Sequence, residues 1–162
     1  MSAIQNLLRE RSIGMAQVIE KSALVWFSAE QMYALVNDVP RYPEFLPWCG
    51  GSEVHEATEA EILASIDIAK GGVRHRLTTR NRLDAPTMIE MALVDGPFRR
   101  LRGVWEFRPL EENACKVVLR LEFELSSSLA RMTFGPVFSQ AANTMVDAFC
   151  QRALVVYGGV KE

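Results

Sequence analysis

Residues 135–157 read GPVFSQAANTMVDAFCQRALVVY, and this stretch decides the fold. Its apolar residues recur at steps of three and four, which places them along one side of an α-helix. They are Phe138, Ala141, Ala142, Met145, Phe149, Ala153 and Val156. Pro136 suits the first helical turn, where its missing N–H costs nothing, and the glycines at 158 and 159 favour a stop. The segment therefore predicts a long helix that needs a partner along one whole side.

A run of alternating strands between residues 15 and 125 is predicted to supply that partner. The clearest strand spans residues 115–125, where every second residue is apolar and the residues between are mostly charged. Tight turns at Gly71–Gly72 and at DGPF, residues 95–98, join consecutive strands. Such hairpins indicate an antiparallel meander, because parallel strands need long crossover connections.

Two short helices are predicted after the first strand, which is expected at 16–27. Ser28 followed three residues later by Gln31 forms a capping box that starts one of them. The segment 38–54, DVPRYPEFLPWCGGSEV, then has too many prolines for a long helix and too many aromatic residues for an ordinary loop. We expect a short helical turn that either plugs the core or gates a cavity.

The predicted fold class is α+β, with a curved antiparallel sheet of six to seven strands around the C-terminal helix. A chain of 162 residues fits one domain. We place that domain at residues 15–159 and treat residues 1–14 as an N-terminal extension, for which disorder is one expectation. The start of the chain lacks the features of a secretory signal, and three cysteines without paired spacing favour a reducing compartment. A cytoplasmic protein is expected, with peripheral contact at the inner face of the membrane left open.

One predicted strand carries polar residues on the face that should point inward. Residues 73–83 alternate, and His75, Thr79 and Asn81 fall on the same side as the apolar residues. Buried polar groups need partners, so three of them on one inward face favour a cavity over a dry core. His75 is either an inward histidine with a satisfied hydrogen bond or a donor to a bound ligand.

The candidate residues of that cavity are apolar or aromatic, apart from His75. Any one of them alone more often packs in a core, but together they fit a flat head group and an apolar tail. The candidates are Phe45, Leu46, Trp48, His75, Met91, Phe98, Trp105, Phe107, Leu121, Phe138, Met145 and Phe149.

Basic residues are concentrated between residues 70 and 108, although the net charge of the chain is −2. If the strands at 73–83 and 99–108 are near neighbours, their arginines form one outward patch. The arginines are Arg74, Arg76, Arg80, Arg82, Arg99, Arg100 and Arg102. Such a patch suits the phosphates of RNA or an anionic lipid surface, or it merely solvates the sheet.

No catalytic set is recognisable in the sequence. His55 and His75 lie on separate predicted strands without metal-ligand spacing, and no nucleophile elbow or phosphate loop occurs. Asp67 and Glu90 are conceivable general bases, but neither has an identifiable partner. We therefore expect a binding protein rather than an enzyme, with no metal and with a bound lipid as the only candidate cofactor.

Several motifs resemble a known family. SALVWFSAEQMYALVNDVPRYPEFLPWCGGSEV at 22–54, TRNRL at 79–83, LVDGPFRRLRGVWEFRPL at 93–110 and FGPVFSQAANTMVDAFCQRALVVY at 134–157 carry the resemblance. In order and spacing they resemble the coenzyme Q-binding, START-like proteins of the polyketide cyclase and lipid transport superfamily, including its bacterial branch of ribosome association toxins. The resemblance covers residues 15–157 and leaves out the first fourteen.

The resemblance implies a helix-grip fold and two alternative functions. The first is binding of ubiquinone or a related isoprenoid lipid in the cavity, in support of respiratory electron transport. The alternative is association with the large ribosomal subunit that blocks its joining to the small subunit. The residue chemistry by itself does not choose between them.

Overall fold

The computed structural model describes residues 16–158, so the predicted extension at residues 1–14 lies outside it. The described chain begins with a strand, two short helices and six further strands, and it ends with a short and a long helix. The elements are β1 Gln17–Val25, α1 Ala29–Asn37, a 3-10 helix Val39–Glu44, β2 Cys49–Ala57, β3 Glu61–Lys70, β4 Val73–Asp84, β5 Met88–Asp95, β6 Phe98–Glu111, β7 Ala114–Leu125, α2 Ser128–Thr133 and α3 Gly135–Tyr157.

All seven strands form one antiparallel sheet in the order β1-β7-β6-β5-β4-β3-β2. Strands β2 to β7 follow one another as a meander, and β1 returns to pair with β7 at the edge. The sheet and the 23-residue helix α3 confirm the predicted α+β helix-grip fold. The fold places α3 across one side of the sheet. The candidate residues therefore lie either between the sheet and α3 or on the outer side of the sheet.

The short helix α1 begins at the capping box that the sequence indicates. The Ser28 Oγ accepts from the Gln31 backbone N–H at 3.1 Å, and the Gln31 Oε1 accepts from the Ser28 backbone N–H at 2.9 Å. These two bonds satisfy backbone donors that a helix start leaves free. The two predicted short helices are therefore both present.

Two elements differ from the sequence-based prediction. Strand β2 contains His55, which was placed on a strand, but it begins at Cys49, inside the segment where a helical turn was expected; α2 at Ser128–Thr133 was not predicted. The register of β2 against β3 shifts near Cys49 and again near Val54. These irregularities disturb the apolar alternation by which a strand is recognised.

The buried side of α3 is close to the predicted one. Phe138, Ala141, Ala142, Phe149 and Ala153 are buried and Met145 is partly buried, as expected. Val156 is a wrong prediction, because it is 46% exposed, whereas Val146 is 2% exposed. At the end of the helix the contact is made instead by Tyr157, whose hydroxyl donates to the Gln31 carbonyl at 3.0 Å.

The aromatic residues divide the space between sheet and helix into a packed part and a hollow part. Phe149 is fully buried, and its ring meets those of Tyr42, Phe45 and Trp105 at 5.2–5.4 Å between centroids. Burial of one such side chain contributes roughly 1.5–3 kcal/mol. This cluster therefore anchors the 3-10 helix and α3 to the sheet.

No helix of residues 16–158 is long and apolar enough to cross a membrane.

Candidate functional site

A cavity of about 70 Å³ lies between the sheet and α3. Almost all of its wall is apolar. The wall is formed by Val39, Tyr42, Trp48, Ala64, Ile66, Ile68, Leu77, Thr79, Asn81, Met91, Leu101, Gly103, Trp105, Leu119, Leu121, Phe138, Ala141, Ala142 and Met145. This volume holds a few water molecules and is smaller than the roughly 300–1,000 Å³ of drug-sized ligand sites.

Two polar side chains of β4 face this cavity. The Thr79 hydroxyl donates to the Asn81 Oδ1 at 2.8 Å, and Asn81 is only 9% exposed. The polar residues that the alternation of β4 placed inward therefore include two that line the wall.

A third polar group lies in the same wall. The Trp48 side chain is 6% exposed, and its indole Nε1–H is buried without a hydrogen-bond partner in the described part of the chain. A buried donor left unpaired costs about 1–3 kcal/mol. Any movement or ligand that gives this N–H an acceptor is therefore favoured.

Half of the candidate ligand-binding residues line the cavity. They are Trp48, Met91, Trp105, Leu121, Phe138 and Met145. Five others pack behind the wall: Phe45, Leu46, Phe98, Phe107 and Phe149. Phe107 stacks on Trp105, and Phe98 contacts Phe138 at 4.8 Å between ring centroids, so these residues support the wall without forming it.

His75 does not lie in the cavity. It is exposed near the start of β4, and its ring contacts that of Phe134 at 4.9 Å. The alternation put His75 on the same side of β4 as Leu77 and Thr79. His75 lies near the start of this strand, against the Phe134 ring, and does not reach the cavity. The prediction that His75 faces a ligand in the cavity is therefore wrong for this conformation.

The sequence analysis missed several wall residues, among them Gly103 on β6. A Cβ there would lie 2.5 Å from the Met91 Cε and 2.6 Å from the Leu121 Cδ2. Glycine inside a strand is often a sign of such close approach, and this signal was available in the pattern GVWEF at 103–107. Gly103 thus leaves room for the side chains of Met91 and Leu121 at the cavity wall.

The seven candidate arginines lie on the outer side of the sheet but not in one continuous patch. Strand β5 separates β4 from β6, which puts the two sets of arginines two strand spacings, or roughly 10 Å, apart. In one cross-strand row Arg80 and Arg102 flank Ala92. The two strands are thus near neighbours, as the predicted patch required, but β5 lies between their arginines.

Most of these arginines are paired with carboxylates. The pairs are Arg74 and Arg76 with Asp67, Arg76 with Glu53, Arg80 with Glu61, Arg82 with Glu90, and Arg99 and Arg100 with Glu124. Within residues 16–158 Arg102 has no such partner. Exposed pairs contribute about 0–1 kcal/mol each, so the arginines can exchange these partners for other anions.

Basic and acidic residues are concentrated at opposite ends of the sheet and do not form one patch on its outer side. At the end with the turns at 71–72 and 96–97, two carboxylates, Asp67 and Glu124, each lie between two arginines. The basic residues of this end are Lys70, Arg74, Arg76, Arg99, Arg100, Arg102 and Arg131. We call it the basic end.

The opposite end of the sheet, with the turns at 58–60, 85–87 and 112–113, is rich in carboxylates. They are Glu56, Glu59, Glu61, Asp84, Glu111 and Glu112. We call it the acidic end. A molecule with this charge separation is oriented by an anionic partner so that the basic end approaches first.

The carboxylate of Asp67 is the best-defined charged group of the basic end. Its side chain is 12% exposed, and hydrogen bonds from Arg76 hold its pKa below the usual range, with Arg74 adding to the effect. Asp67 therefore stays ionised and keeps both arginines in place. It is a structural partner of the arginines, in contrast to the sequence-based alternative of a general base.

The three cysteines are free, and each has a raised pKa because of burial. For Cys115 the pKa is raised to about 11. A thiol is nucleophilic only as the thiolate, so these cysteines are held in an unreactive form at neutral pH. Within residues 16–158 no group of three or more potential metal ligands is clustered.

The antiparallel sheet, the long helix α3 and the cavity between them define a helix-grip fold. A family model described as polyketide cyclase / dehydrase and lipid transport matches residues 25–150. The chain belongs to this family, which confirms the resemblance carried by the sequence motifs.

Relatives within and around this family carry two kinds of name. The ribosome association toxin RatA of Vibrio cholerae serotype O1 is 56% identical over 140 residues, which cover 86% of this chain and 97% of that protein. The protein of the same name from Pseudomonas aeruginosa is 52% identical over 144 residues, or 89% and 100% of the two chains. The mitochondrial coenzyme Q-binding protein COQ10 homolog B of Xenopus laevis is more distant, at 29% identity over 142 residues, 85% of this chain and 58% of that protein.

Solved structures agree with the fold. The Zhui aromatase/cyclase of Streptomyces sp. R1128 matches with a TM-score of 0.76 and 18% identity, over 90% of this chain and 99% of that one. At this identity the match establishes the fold and carries no conclusion about activity.

Proposed function

We propose that this protein associates with the ribosome, as a toxin of the type after which its relatives are named. The observation that carries the proposal is identity of 52–56% to ribosome association toxins over 97–100% of their length. The coenzyme Q-binding relative is far more distant, at 29% identity. The alternative of the sequence analysis is thus the better-supported function. It is a binding function without a chemical step, and it takes place in the cytoplasm.

The basic end of the sheet is the surface that suits a ribosomal partner. Ribosomal RNA presents phosphates, and the arginines around Asp67 and Glu124 are 47–64% exposed. Two exposed apolar side chains of α2, Leu129 and Met132, lie at the same end. We propose that this end contacts the large subunit, at a position that prevents joining to the small subunit.

Sucrose-gradient sedimentation with purified subunits tests this function. The wild-type chain should migrate with the large subunit and dissociate as salt is raised, because phosphate contacts depend on ionic strength. The double variant Arg102→Glu, Arg131→Glu should lose this association, since neither residue has a carboxylate partner within residues 16–158 and both can be reversed without breaking an ion pair.

Lys116→Glu is the matched control for this experiment. It reverses a single charge on β7 near the acidic end, so it is compared with each single variant, Arg102→Glu and Arg131→Glu, and it should leave sedimentation unchanged. A wild-type chain that stays at the top of the gradient at low salt would refute ribosome association. Equal binding by the double variant would instead refute the choice of surface.

The second candidate function is binding of an amphipathic lipid, such as ubiquinone or another isoprenoid, between sheet and helix. A specific observation favours it: the cavity wall holds a buried Trp48 N–H that has no partner within residues 16–158, and the Asn81 amide lines the same wall. Because the cavity measures about 70 Å³, a quinone head group requires an outward movement of the wall. Native mass spectrometry followed by organic extraction tests this candidate. A stoichiometric quinone or isoprenoid supports it, and a lipid-free protein that also takes up none in solution refutes it.

A further inference from the structure

A groove of about 420 Å³ lies on the outer side of the segment that closes the cavity, between α3 and the ends of β2 and β3. It is lined by Pro47, Trp48, Ala69, Lys70, Val137 and residues of the first four turns of α3. Its volume falls within the range of roughly 300–1,000 Å³ that ligand sites occupy. The cavity is too small for such a ligand, but the groove beside it is not.

The two spaces share part of their walls. Trp48 and Ala141 line both the cavity and the groove, so these side chains stand between the interior and the outside. Ala141 belongs to the long helix and has no side-chain freedom beyond its Cβ. The Trp48 ring is therefore the part of this wall that can move.

In the observed position of Trp48, the indole N–H makes no hydrogen bond within residues 16–158. Its N–H is buried without an acceptor, a state that is unfavourable relative to one with a hydrogen bond. Trp48 precedes Cys49, where β2 starts with an irregular register, and the Trp48 carbonyl accepts from the Ala69 backbone N–H at 2.8 Å, so the backbone is held and only the ring can turn. A rotation of the ring that brings the N–H to an acceptor on a ligand is therefore favoured, because the N–H then gains the hydrogen bond that it lacks in the closed state.

From these contacts we infer that groove and cavity form one elongated site, with Trp48 as the gate between them. The inference rests on the second candidate function, binding of an amphipathic molecule. The head of that molecule carries a hydrogen-bond acceptor and occupies the enlarged cavity near Asn81, where the Trp48 N–H donates to it. Its apolar extension lies in the groove along α3. A hydrogen bond of 2.8 Å from the Lys70 Nζ to the Gln140 Oε1 ties β3 to α3 at the groove and loosens when the extension is in place.

Obstruction of the groove tests this route, with a decyl-substituted benzoquinone as the probe. Thr144 lines the groove and is exposed, so Thr144→Trp fills the groove without disturbing the core. Asn143→Trp is the matched control, because Asn143 is the exposed neighbour on the same helix and does not line the groove. By calorimetric titration, Thr144→Trp should weaken probe binding at least tenfold, and Asn143→Trp should leave it within twofold of wild type.

Trp48→Phe examines the gate itself. It keeps a six-membered aromatic ring at this position and removes the N–H together with the five-membered half of the indole, so the fold should persist while probe affinity falls about five- to tenfold. Thermal melts of all variants verify folding independently of binding.

The outcomes separate the inference from the function on which it rests. A wild-type chain that does not bind the probe at all overturns the proposed lipid binding, and the route with it. If Thr144→Trp binds the probe as tightly as the wild-type chain, the route through the groove is overturned and the proposed lipid binding is not. Unchanged affinity in Trp48→Phe overturns the role of the N–H as a donor.

Discussion

The inner and outer sides of the sheet use the same strands in opposite ways. On the inner side of β4, Leu77 and Asn81 are almost fully buried and line the cavity. On its outer side, Arg76 and Arg80 remain about half exposed and bind carboxylates of neighbouring strands. The inner side therefore determines stability, and the outer side determines which charged partners the protein meets. Substitutions on the two sides should separate these effects.

The largest effect on stability is expected from Phe149→Ala on the inner side. Phe149 is fully buried among Tyr42, Phe45 and Trp105, and its truncation leaves a void that α3 and the 3-10 helix cannot close. The free energy of unfolding should fall by about 3–5 kcal/mol, as measured by urea denaturation. Leu154→Ala on the same helix, where the side chain is 52% exposed, should change it by less than about 0.5 kcal/mol.

Asp67→Asn should have the next largest effect, although Asp67 lies on the outer side. Its carboxylate is nearly buried and accepts charged hydrogen bonds from Arg76 and Arg74, which stabilise by about 1.5–3 kcal/mol each before compensation. We expect a loss of about 1–2 kcal/mol at pH 7. This result would show that burial, rather than the side of the sheet, decides the energetic weight of a residue.

The same variant has a defined pH dependence. Because the pKa of Asp67 is lower in the folded state, its contribution is fully present above the ordinary value of about 3.9. It is lost as the pH falls through the lowered folded pKa. The difference in unfolding free energy between wild type and Asp67→Asn should therefore be constant from pH 5 to pH 7 and shrink toward pH 2. A difference that grows on acidification would contradict the assignment.

Gly103→Ala should cost less, about 1 kcal/mol, despite a Cβ that would lie 2.5 Å from the Met91 Cε. Met91 and Leu121 line the cavity and can move into it, so the void absorbs the added atom. Urea denaturation should show this small loss, and binding of the decyl-benzoquinone should fall at least tenfold because the cavity is filled. A loss above about 3 kcal/mol would mean that the wall is rigid.

The smallest effect on stability is expected from Arg102→Glu. The side chain is exposed on the outer side and has no carboxylate partner within residues 16–158. Its free energy of unfolding should stay within about 0.5 kcal/mol of wild type in urea titrations. If the same substitution weakens sedimentation with the large ribosomal subunit, the separation between the two sides is upheld. A destabilisation comparable to that of Asp67→Asn would remove it.

Much of the architecture was predictable from local patterns. The spacing of Phe138, Ala142 and Phe149 indicated the long helix, and the Ser28–Gln31 capping box indicated α1. Strand β2 was harder, because its register shifts twice against β3 and hides the alternation. The candidate site was predicted in part: Trp48 and Trp105 line the cavity, whereas Phe107 and Phe149 pack behind it.

By itself the sequence determined the order of the strands and of the helices other than α2, the inward face of the strands and the family, since period, capping and motif spacing are properties of neighbouring residues. Only the tertiary structure decided that His75 lies outside the cavity, that β5 divides the arginines of β4 and β6, and that Trp48 separates cavity from groove. These three facts depend on which distant segments meet. Strand order, the curvature of the sheet and the length of α3 determine which distant segments are in contact. None of these can be predicted from the alternation within a single strand.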